Sequence, residues 1–299
     1  MKILSFGSMN IDNTYSVDEF VQPGETMTAK NLSKFCGGKG LNQSIALASA
    51  GADVAHFGCV GEDGDILLDM LKSRGVNTDS VIKIDNITSG HAIIQVDSHG
   101  QNSILLYPGA NRRMTPELID RELEKYSCGD WLLIQNETNC LEYIIRAANK
   151  KGMKIAFNPS PMDETVSTLP LELVDLFLVN EIEGAAVTGK EITEEITAEF
   201  EKLFPNAAVI LTLGKKGSIF KSEKDMLFQP SYCGTVKDTT GAGDTYTGFF
   251  IANYIKGVSP QECMRIAAMA STVQISRDGA AIAIPKKQEV LNALKNHCR

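Results

Sequence analysis

The chain has 299 residues, of which 43% are hydrophobic, so it can bury a large core as one large α/β domain or as two domains. It carries 29 basic and 37 acidic residues, a net charge of −8, and no basic block, which argues against a nucleic-acid partner. No apolar run reaches the roughly 18 residues that a membrane span needs, and the first residues lack the apolar segment of a secretion signal.

The cysteines are scattered and form no CxxC pair: Cys36, Cys59, Cys128, Cys140, Cys233, Cys263 and Cys298. An odd number of unpaired thiols indicates reduced, structural cysteines, as in intracellular proteins. We therefore expect a cytoplasmic protein.

The first predicted strand covers residues 2–8 and leads into a polar pair, Asn10 and Asp12. Because they are two residues apart, their side chains would share one face of an extended chain. The carboxyl end of a strand is where α/β proteins bind ligands. The stretch taken alone favours an Asx turn that leaves the strand, and a ligand site is the functional alternative.

Two later segments predict a second, small β-sheet. Residues 13–36 have the pattern of extended chain around a Pro23-Gly24 turn. Residues 88–108 contain two strands, His91–Asp97 and Ser103–Tyr107, joined by a hairpin loop. We expect these segments, called the lid below, to cover a ligand site as part of a single domain over residues 1–299 and not to form an independent domain.

A glycine-rich turn, Gly37–Gly40, opens a helix of small residues that ends at Gly51. Small residues allow close packing at the place where Lys39 and Asn42 project, and close packing alone is also a sufficient explanation of the turn. The chain contains no GxxxxGK[ST], so this turn is not a P-loop.

From residue 114 onwards, strands and helices alternate. The predicted strands cover residues 131–135, 154–157, 176–179 and 208–213. One predicted helix begins at residue 116, and four others cover residues 140–151, 193–203, 260–276 and 286–297. This alternation predicts an α/β fold with a doubly wound, mostly parallel sheet and helices on both faces.

Polar residues follow the carboxyl ends of several predicted strands: Glu137, Asn180, Glu183, Thr212 and Gly214. In an open α/β sheet these ends meet in one crevice. Asn180 and Glu183 also have the spacing of a helix capping box, which is the structural alternative. The functional interpretation places Glu183 near a Mg²⁺-nucleotide, through water, since Mg²⁺ keeps much of its hydration.

The stretch DTTGAGDT at 238–245 places two glycines between two carboxylates, directly before an apolar run. Glycines at a helix N-terminus let backbone N–H groups approach a phosphoryl group. Asp244 would lie beside that group, where it can accept a proton from an attacking hydroxyl. A glycine-rich turn with an ordinary first-turn acid is the alternative that this stretch leaves open.

Two of these stretches together resemble the PfkB, or ribokinase-like, family of carbohydrate kinases. GGKGLNQS at 37–44 matches the N-terminal pattern of the family, and DTTGAGDT matches its C-terminal pattern. The similarity extends over nearly the whole chain, and GSMNID, PGET, TSGHAIIQVD and YPGAN are most similar to the members that phosphorylate ribose.

The resemblance implies a ribokinase-like doubly wound sheet with a lid, ATP-dependent phosphorylation of D-ribose at its 5-hydroxyl, and a homodimer formed through the lid. It implies sugar contacts at Asn10, Asp12, Gly38, Lys39, Asn42, Glu137 and Asp244. It implies nucleotide contacts at Asn180, Glu183, Thr212, Gly214, Gly217, Gly241, Ala242 and Gly243, with Asp244 as the catalytic base. It implies Mg²⁺ with ATP near Glu183, and an activating K⁺ at Asp238, Thr240, Gln274, Arg277, Gly279 and Ala283.

Two positions depart from the family pattern. Ala283 stands where serine is usual, although a backbone carbonyl ligand would survive that change. Phe249 replaces a small residue, which affects helix packing rather than chemistry. Asp238 could also cap its own turn without binding any cation.

Other functions remain open on the sequence alone. A related kinase for fructose or a nucleoside would use the same motifs. A binding protein that has lost catalysis is disfavoured by the intact Asp244, and a nicotinamide dehydrogenase by the missing GxGxxG after the first strand.

Overall fold

The computed structural model describes residues 1–297, so the predicted thiol at Cys298 lies outside the described part of the chain. The strands are β1 (Ile3–Phe6), β2 (Asn10–Ser16), β3 (Asn31–Gly37), β4 (Val54–Val60), β5 (Val81–Lys83), β6 (Gly90–Val96), β7 (Asn102–Tyr107), β8 (Trp131–Gln135), β9 (Lys154–Asn158), β10 (Leu176–Asn180), β11 (Ala208–Thr212), β12 (Ser218–Lys221) and β13 (Met226–Gln229). The helices are α1 (Lys39–Ser49), α2 (Asp65–Ser73), α3 (Pro116–Leu123), α4 (Leu141–Lys150), α5 (Glu181–Thr188), α6 (Thr193–Leu203), α7 (Ala242–Tyr254), α8 (Pro260–Gln274) and α9 (Lys287–His297).

Nine strands form the main sheet in the order β13-β12-β11-β10-β9-β8-β1-β4-β5. The seven strands from β11 to β5 are parallel, and β12 and β13 add an antiparallel edge. After β1, the chain forms β4 and β5 on one side of that strand, and it then crosses to form β8 on the other side. Ligands bind at such a topological switch point, here between β1 and β8. The predicted fold class is confirmed.

The main sheet is buried on both faces, because successive strand residues point to opposite sides. Ile3 packs into one apolar core, and its neighbour Leu4 into the other. The first core also contains Leu41 of α1 and Phe249 of α7. The two helices that follow the glycine-rich motifs therefore pack on the same side of the sheet.

A second sheet has the order β3-β2-β6-β7. It is formed by two antiparallel pairs, β2–β3 and β6–β7, joined through the parallel pair β2–β6. Asn10 and Asp12 belong to β2 and lie two residues apart on it. The Asx-turn alternative is therefore wrong, since pairing with β3 and β6 keeps this stretch extended.

Two elements of the sheet edge and the crevice were not predicted as such. β5 has only three residues, too few for a periodic signal. α5 begins at Glu181, immediately after β10 ends.

The predicted helix 260–276 ends at Gln274, within the two-residue uncertainty of helix ends. No helix of residues 1–297 has both the length and the apolar character needed to cross a membrane.

Candidate active site

Asp244 lies in the first turn of α7. The N-cap residue before this helix is Gly241, whose backbone is left-handed (φ 77°). The positive φ is a conformation that glycine adopts without strain. Only 8% of Asp244 is exposed. The backbone N–H groups of Gly243 and Asp244 belong to the helix's first turn and lack the intrahelical acceptors of later turns, whereas Ala242 N–H donates to Thr239 O (3.2 Å). The carboxylate thus lies beside donors suited to an anion.

Both oxygens of Asp244 are held by amide groups of α1. Asn42 Nδ2 donates to Oδ2 (3.0 Å), and Gln43 Nε2 donates to Oδ1 (2.9 Å). Asn42 Oδ1 is buried and has no partner among the described residues, so it can accept a hydrogen bond from a ligand hydroxyl. The two glycine-rich motifs therefore meet at this carboxylate, although about 200 residues separate them.

Asp12 lies on β2 and is half-buried. A Cβ at Gly37 would collide with its carboxylate, so the absent side chain at Gly37 leaves room for Asp12. Burial, with a smaller contribution from the nearby Glu137 charge, raises the pKa of Asp12 from its ordinary value to about 6. The acid therefore ionises near neutrality, and its oxygens can then accept from two hydroxyls of a diol.

Glu137 follows β8 and binds the turn at α1. Its Oε2 accepts a close hydrogen bond from Ser8 Oγ and another from Lys39 N–H (2.9 Å). Burial raises the pKa of Glu137, against the lowering effect of the Ser8 hydrogen bond and of Lys39. The contact joins β1, β8 and α1 at the switch point of the sheet.

Lys39 connects the two sides of the crevice electrostatically. Burial lowers the pKa of its ammonium group, but the carboxylates of Asp244, Glu137 and Glu183 together raise it above its ordinary value. The group therefore stays protonated at neutral pH. It provides positive charge at a site in a protein whose net charge is −8.

Asn10 is buried and turned toward the chain following β7. Its Oδ1 accepts from Asn111 Nδ2 (2.8 Å), and Asn111 Oδ1 accepts from Met9 N–H (3.0 Å). A side chain at Gly90 would collide with both asparagines. Asn111 lies in the YPGAN stretch and fixes the side chain of Asn10 by this hydrogen bond.

A cavity of about 230 Å³ lies between Lys39 and the start of α7. Of the predicted site residues, it is lined by Lys39, Asn180, Glu183, Thr212, Gly241, Ala242, Gly243 and Asp244. A neighbouring cavity of about 540 Å³ shares Thr212, Thr239, Ala242, Gly243 and Tyr246 with the first, and is also lined by Gly214 and Gly217.

The larger cavity has mainly apolar walls, including Tyr232, Val236, Ala268 and Ile275. Its size and walls suit the base of a nucleotide, while the smaller, polar cavity suits phosphates. Tyr246 lines both cavities and is fixed by a hydrogen bond between its hydroxyl and Ser218 Oγ (2.7 Å).

Asn180 and Glu183 form a complete capping box for α5. Asn180 Oδ1 accepts from Glu183 N–H (2.9 Å), and Glu183 Oε2 accepts from Asn180 N–H (3.0 Å). The structural alternative is thus realised, yet Glu183 also lines the smaller cavity. Carboxylate oxygen at the phosphate side fits a hydrated Mg²⁺, which takes oxygen ligands and retains water.

The predicted cation residues are grouped behind the α7 turn. Asp238 accepts from Thr240 N–H and Gly279 N–H (2.9 Å each), as in the capping alternative. Gln274 Nε2 donates to Thr240 O (2.6 Å) and Gly279 O (3.3 Å), so the two carbonyls converge. Gln274 Oε1 is buried without a partner in the described chain. The two carbonyls converge on the NH₂ group of Gln274, so a monovalent cation would bind them in place of these hydrogen bonds.

Arg277 and Ala283 lie at the edge of this group. Arg277 Nη1 donates weakly to Ala283 O (3.5 Å), and its Nη2 pairs with Glu289. The Ala283 carbonyl is therefore partly engaged by a side chain. In residues 1–297, no cluster of three histidine, cysteine or acidic side chains is arranged to hold a metal.

Several residues of the site were not predicted: Ser8, Gln43, Asn111, Gln135, Asn158 and Tyr246. Gln135 and Asn158 end β8 and β9. The strand-end signal that selected Glu137 would have found both, since they occupy the same edge. The role of Gln43 had no signal beyond its place beside Asn42.

Comparison with known proteins agrees with this geometry. The pattern of the "pfkB family carbohydrate kinase" matches residues 1–287. The ribokinase of Haemophilus influenzae is 33% identical over 298 residues, covering 97% of each chain. The structure of ribokinase from Cryptococcus neoformans in complex with ADP has a TM-score of 0.86 and 30% identity, covering 97% of this chain and 99% of that one. The structure of Arabidopsis thaliana ribokinase with ribose and ATP has a TM-score of 0.85 and 29% identity, covering 98% of each.

Proposed function

Because the chain belongs to the pfkB family of carbohydrate kinases, we propose that it transfers the γ-phosphoryl group of ATP to the 5-hydroxyl of D-ribose. The observation that carries this proposal is the position of Asp244, held on both oxygens by α1 at the anion-binding start of α7. Ribose is favoured over other sugars by the similarity to curated ribokinases over nearly the whole chain.

In this mechanism, Asp12 and Asn42 hold hydroxyl groups of the sugar, and its primary hydroxyl faces Asp244. Asp244 accepts the hydroxyl proton as the oxygen forms a bond to the γ-phosphorus. The bond from that phosphorus to the bridging oxygen breaks, and ADP leaves. First-turn N–H groups of α7 and the ammonium of Lys39 stabilise the charge on the transferred group.

The base and the phosphates of the nucleotide bind in different cavities. The larger cavity receives the base and is bordered by Thr212, Gly214 and Gly217. The smaller cavity receives the phosphates and is bordered by Gly241–Gly243. Glu183 would hold Mg²⁺ through water, and the ion would neutralise phosphate charge of the bound nucleotide.

We further propose that a monovalent cation, K⁺, binds at Asp238 and the carbonyls of Thr240 and Gly279. It would order the turn before α7 and so raise kcat. A potassium titration in sodium-free buffer with saturating sugar and Mg-ATP should show activation, and Asp238→Ala should lose it. A rate that stays constant from zero to high potassium would remove the cation from the proposal.

The substrate is tested by comparing ATP consumption with ribose, deoxyribose, fructose, fructose 6-phosphate and adenosine. We expect the highest kcat/KM for ribose, and ribose 5-phosphate as the product. A higher kcat/KM for fructose or adenosine would leave the family intact and overturn the choice of ribose.

A further inference from the structure

A chain of amide groups links Asp244 to the carboxyl ends of three strands. Gln43 Oε1 accepts from Gln135 Nε2 (2.8 Å), and Gln43 Nε2 donates to both Asn158 Oδ1 (3.1 Å) and Asp244 Oδ1 (2.9 Å). Asn158 Nδ2 donates in turn to the backbone carbonyl of Leu178 (2.8 Å). Gln43 and Gln135 have no exposed surface.

The direction of every hydrogen bond in this chain follows from its last member. A backbone carbonyl such as Leu178 O can only accept, so Asn158 must present its NH₂ there and its Oδ1 toward Gln43. Gln43 must then present its NH₂ to Asn158. Its second amide hydrogen points at Asp244, and its oxygen faces Gln135. The amide orientation is therefore determined by the hydrogen-bond network, without reference to Asp244.

We infer that Gln43 is a positioning residue for Asp244, and that Asn158 and Gln135 fix which side of the Gln43 amide carries the NH₂ group. This inference rests on the proposed role of Asp244 as the base. An NH₂ group locked toward Oδ1 favours the ionised carboxylate and restrains its rotation. The reaction needs both properties, because the base must be deprotonated and must face the sugar hydroxyl.

Other charged groups also act on Asp244. Lys39 of α1 attracts both Asp244 and Glu183 of α5, and Glu137 after β8 repels Asp244. On the far side of α1, the buried His56 is neutral at pH 7, since burial lowers its pKa to about 4. All four groups are retained in Gln43 variants. A difference between the kcat–pH profiles of wild type and variant is therefore due to the loss of the Gln43 amide.

The test replaces Gln43 by Met, which keeps the volume and removes the donor, and by Glu, which keeps the shape and faces Asp244 with an acceptor. We expect kcat/KM for the sugar to fall about 10–100-fold, as for a misplaced catalytic group. The acidic limb of the kcat profile, measured at saturating sugar so that ionisation of Asp12 does not contribute, should move to higher pH for Gln43→Met, because the carboxylate loses a hydrogen-bond donor. It should move further for Gln43→Glu, because a second negative charge is added. KM for ATP should change little.

Ser44→Ala is the matched control. Ser44 is equally buried on the same helix, but its hydroxyl bonds His56 Nδ1 (2.8 Å) rather than Asp244. We expect this variant to lose thermal stability and to keep the acidic limb of the wild type. Melting temperature and ATP binding, measured for all variants, identify any Gln43 variant that does not fold. If neither Gln43 variant folds, Gln135→Met tests the same chain of hydrogen bonds one step further from Asp244. It should move the acidic limb in the same direction by a smaller amount.

An acidic limb that stays at the wild-type pH in folded Gln43 and Gln135 variants overturns the inference, even if kcat falls. Asp244→Asn separates this failure from failure of the proposed function. If Asp244→Asn retains activity, the base assignment itself is wrong. If Asp244→Asn is inactive while the limb of the Gln43 variants is unmoved, only the positioning role is lost.

Discussion

Asp244 is held by two amide donors, and this decides how a substitution behaves. In Asp244→Asn, one oxygen can still accept from Asn42 or Gln43, but the new NH₂ faces the other donor. We expect the fold to persist with a lower melting temperature, because one buried donor loses its acceptor.

The same variant should reduce kcat by about 10²–10⁴-fold, the usual loss when a general base is removed. Sugar affinity, measured by calorimetry, should stay within a few-fold of wild type. A variant with normal kcat and normal sugar binding would show that another group takes the proton.

The pKa of Asp12 predicts how sugar binding depends on pH. Burial raises this pKa to about 6 in the free enzyme. A carboxylate that accepts from two hydroxyls binds in its ionised form, so affinity should be constant above pH 6 and weaken below it, by about tenfold per unit once the protonated form dominates.

Calorimetric titration of the sugar between pH 5 and pH 8 measures this dependence. Asp12→Asn is the control, and it should bind weakly with little change across the same range. Wild-type affinity that does not vary between pH 5 and pH 7 would contradict the assignment of Asp12 to the sugar.

Helices α1 and α7 carry the two halves of the site, and they touch through Gly248. A Cβ at this position would overlap Ala46 Cβ and lie 2.7 Å from Leu47 N, so Gly248→Ala must push the helices apart. Overpacking of this kind costs about 1–3 kcal/mol. We expect a lower melting temperature and a lower kcat, because Asn42 and Gln43 then move relative to Asp244.

Gly243→Ala is the matched substitution in the same helix. A Cβ at Gly243 meets nothing within 4 Å. Alanine is the better helix former by about 1 kcal/mol, so the melting temperature should be unchanged or higher. Equal destabilisation by both variants would mean that the loss at Gly248 does not come from helix contact.

At the scale of the whole molecule, the lid leaves apolar surface open to solvent. Ile104, Leu105 and Leu106 of β7 are 58%, 67% and 48% exposed, and β7 is an edge strand. Proteins usually cover such edges. We propose that two copies pair through the lid, as the family resemblance implies.

Light scattering should give the mass of a dimer for wild type and of a monomer for Leu105→Glu. Ile192→Glu is the control, because Ile192 is similarly exposed (56%) but lies before α6, outside the lid. It should remain dimeric. A monomeric wild type at working concentration would exclude pairing through the lid.

Local patterns in the sequence were sufficient to predict most strands of the main sheet, the glycine-rich turns and the position of Asp244 at a helix start. Strand and helix periodicity, glycine at Gly51 and Gly241, and polar residues at strand ends are all features of neighbouring residues, and such features can be identified in one stretch at a time.

Contacts between distant residues were decided only by the tertiary structure. Asn10 and Asp12 lie in a strand because β2 pairs with β6, far along the chain. Gln43 faces Asp244 because Asn158 and a strand carbonyl fix its amide, and these partners are more than 100 residues from it. A hydrogen bond's direction depends on all of its neighbours in space, and no sequence pattern encodes which neighbours those are.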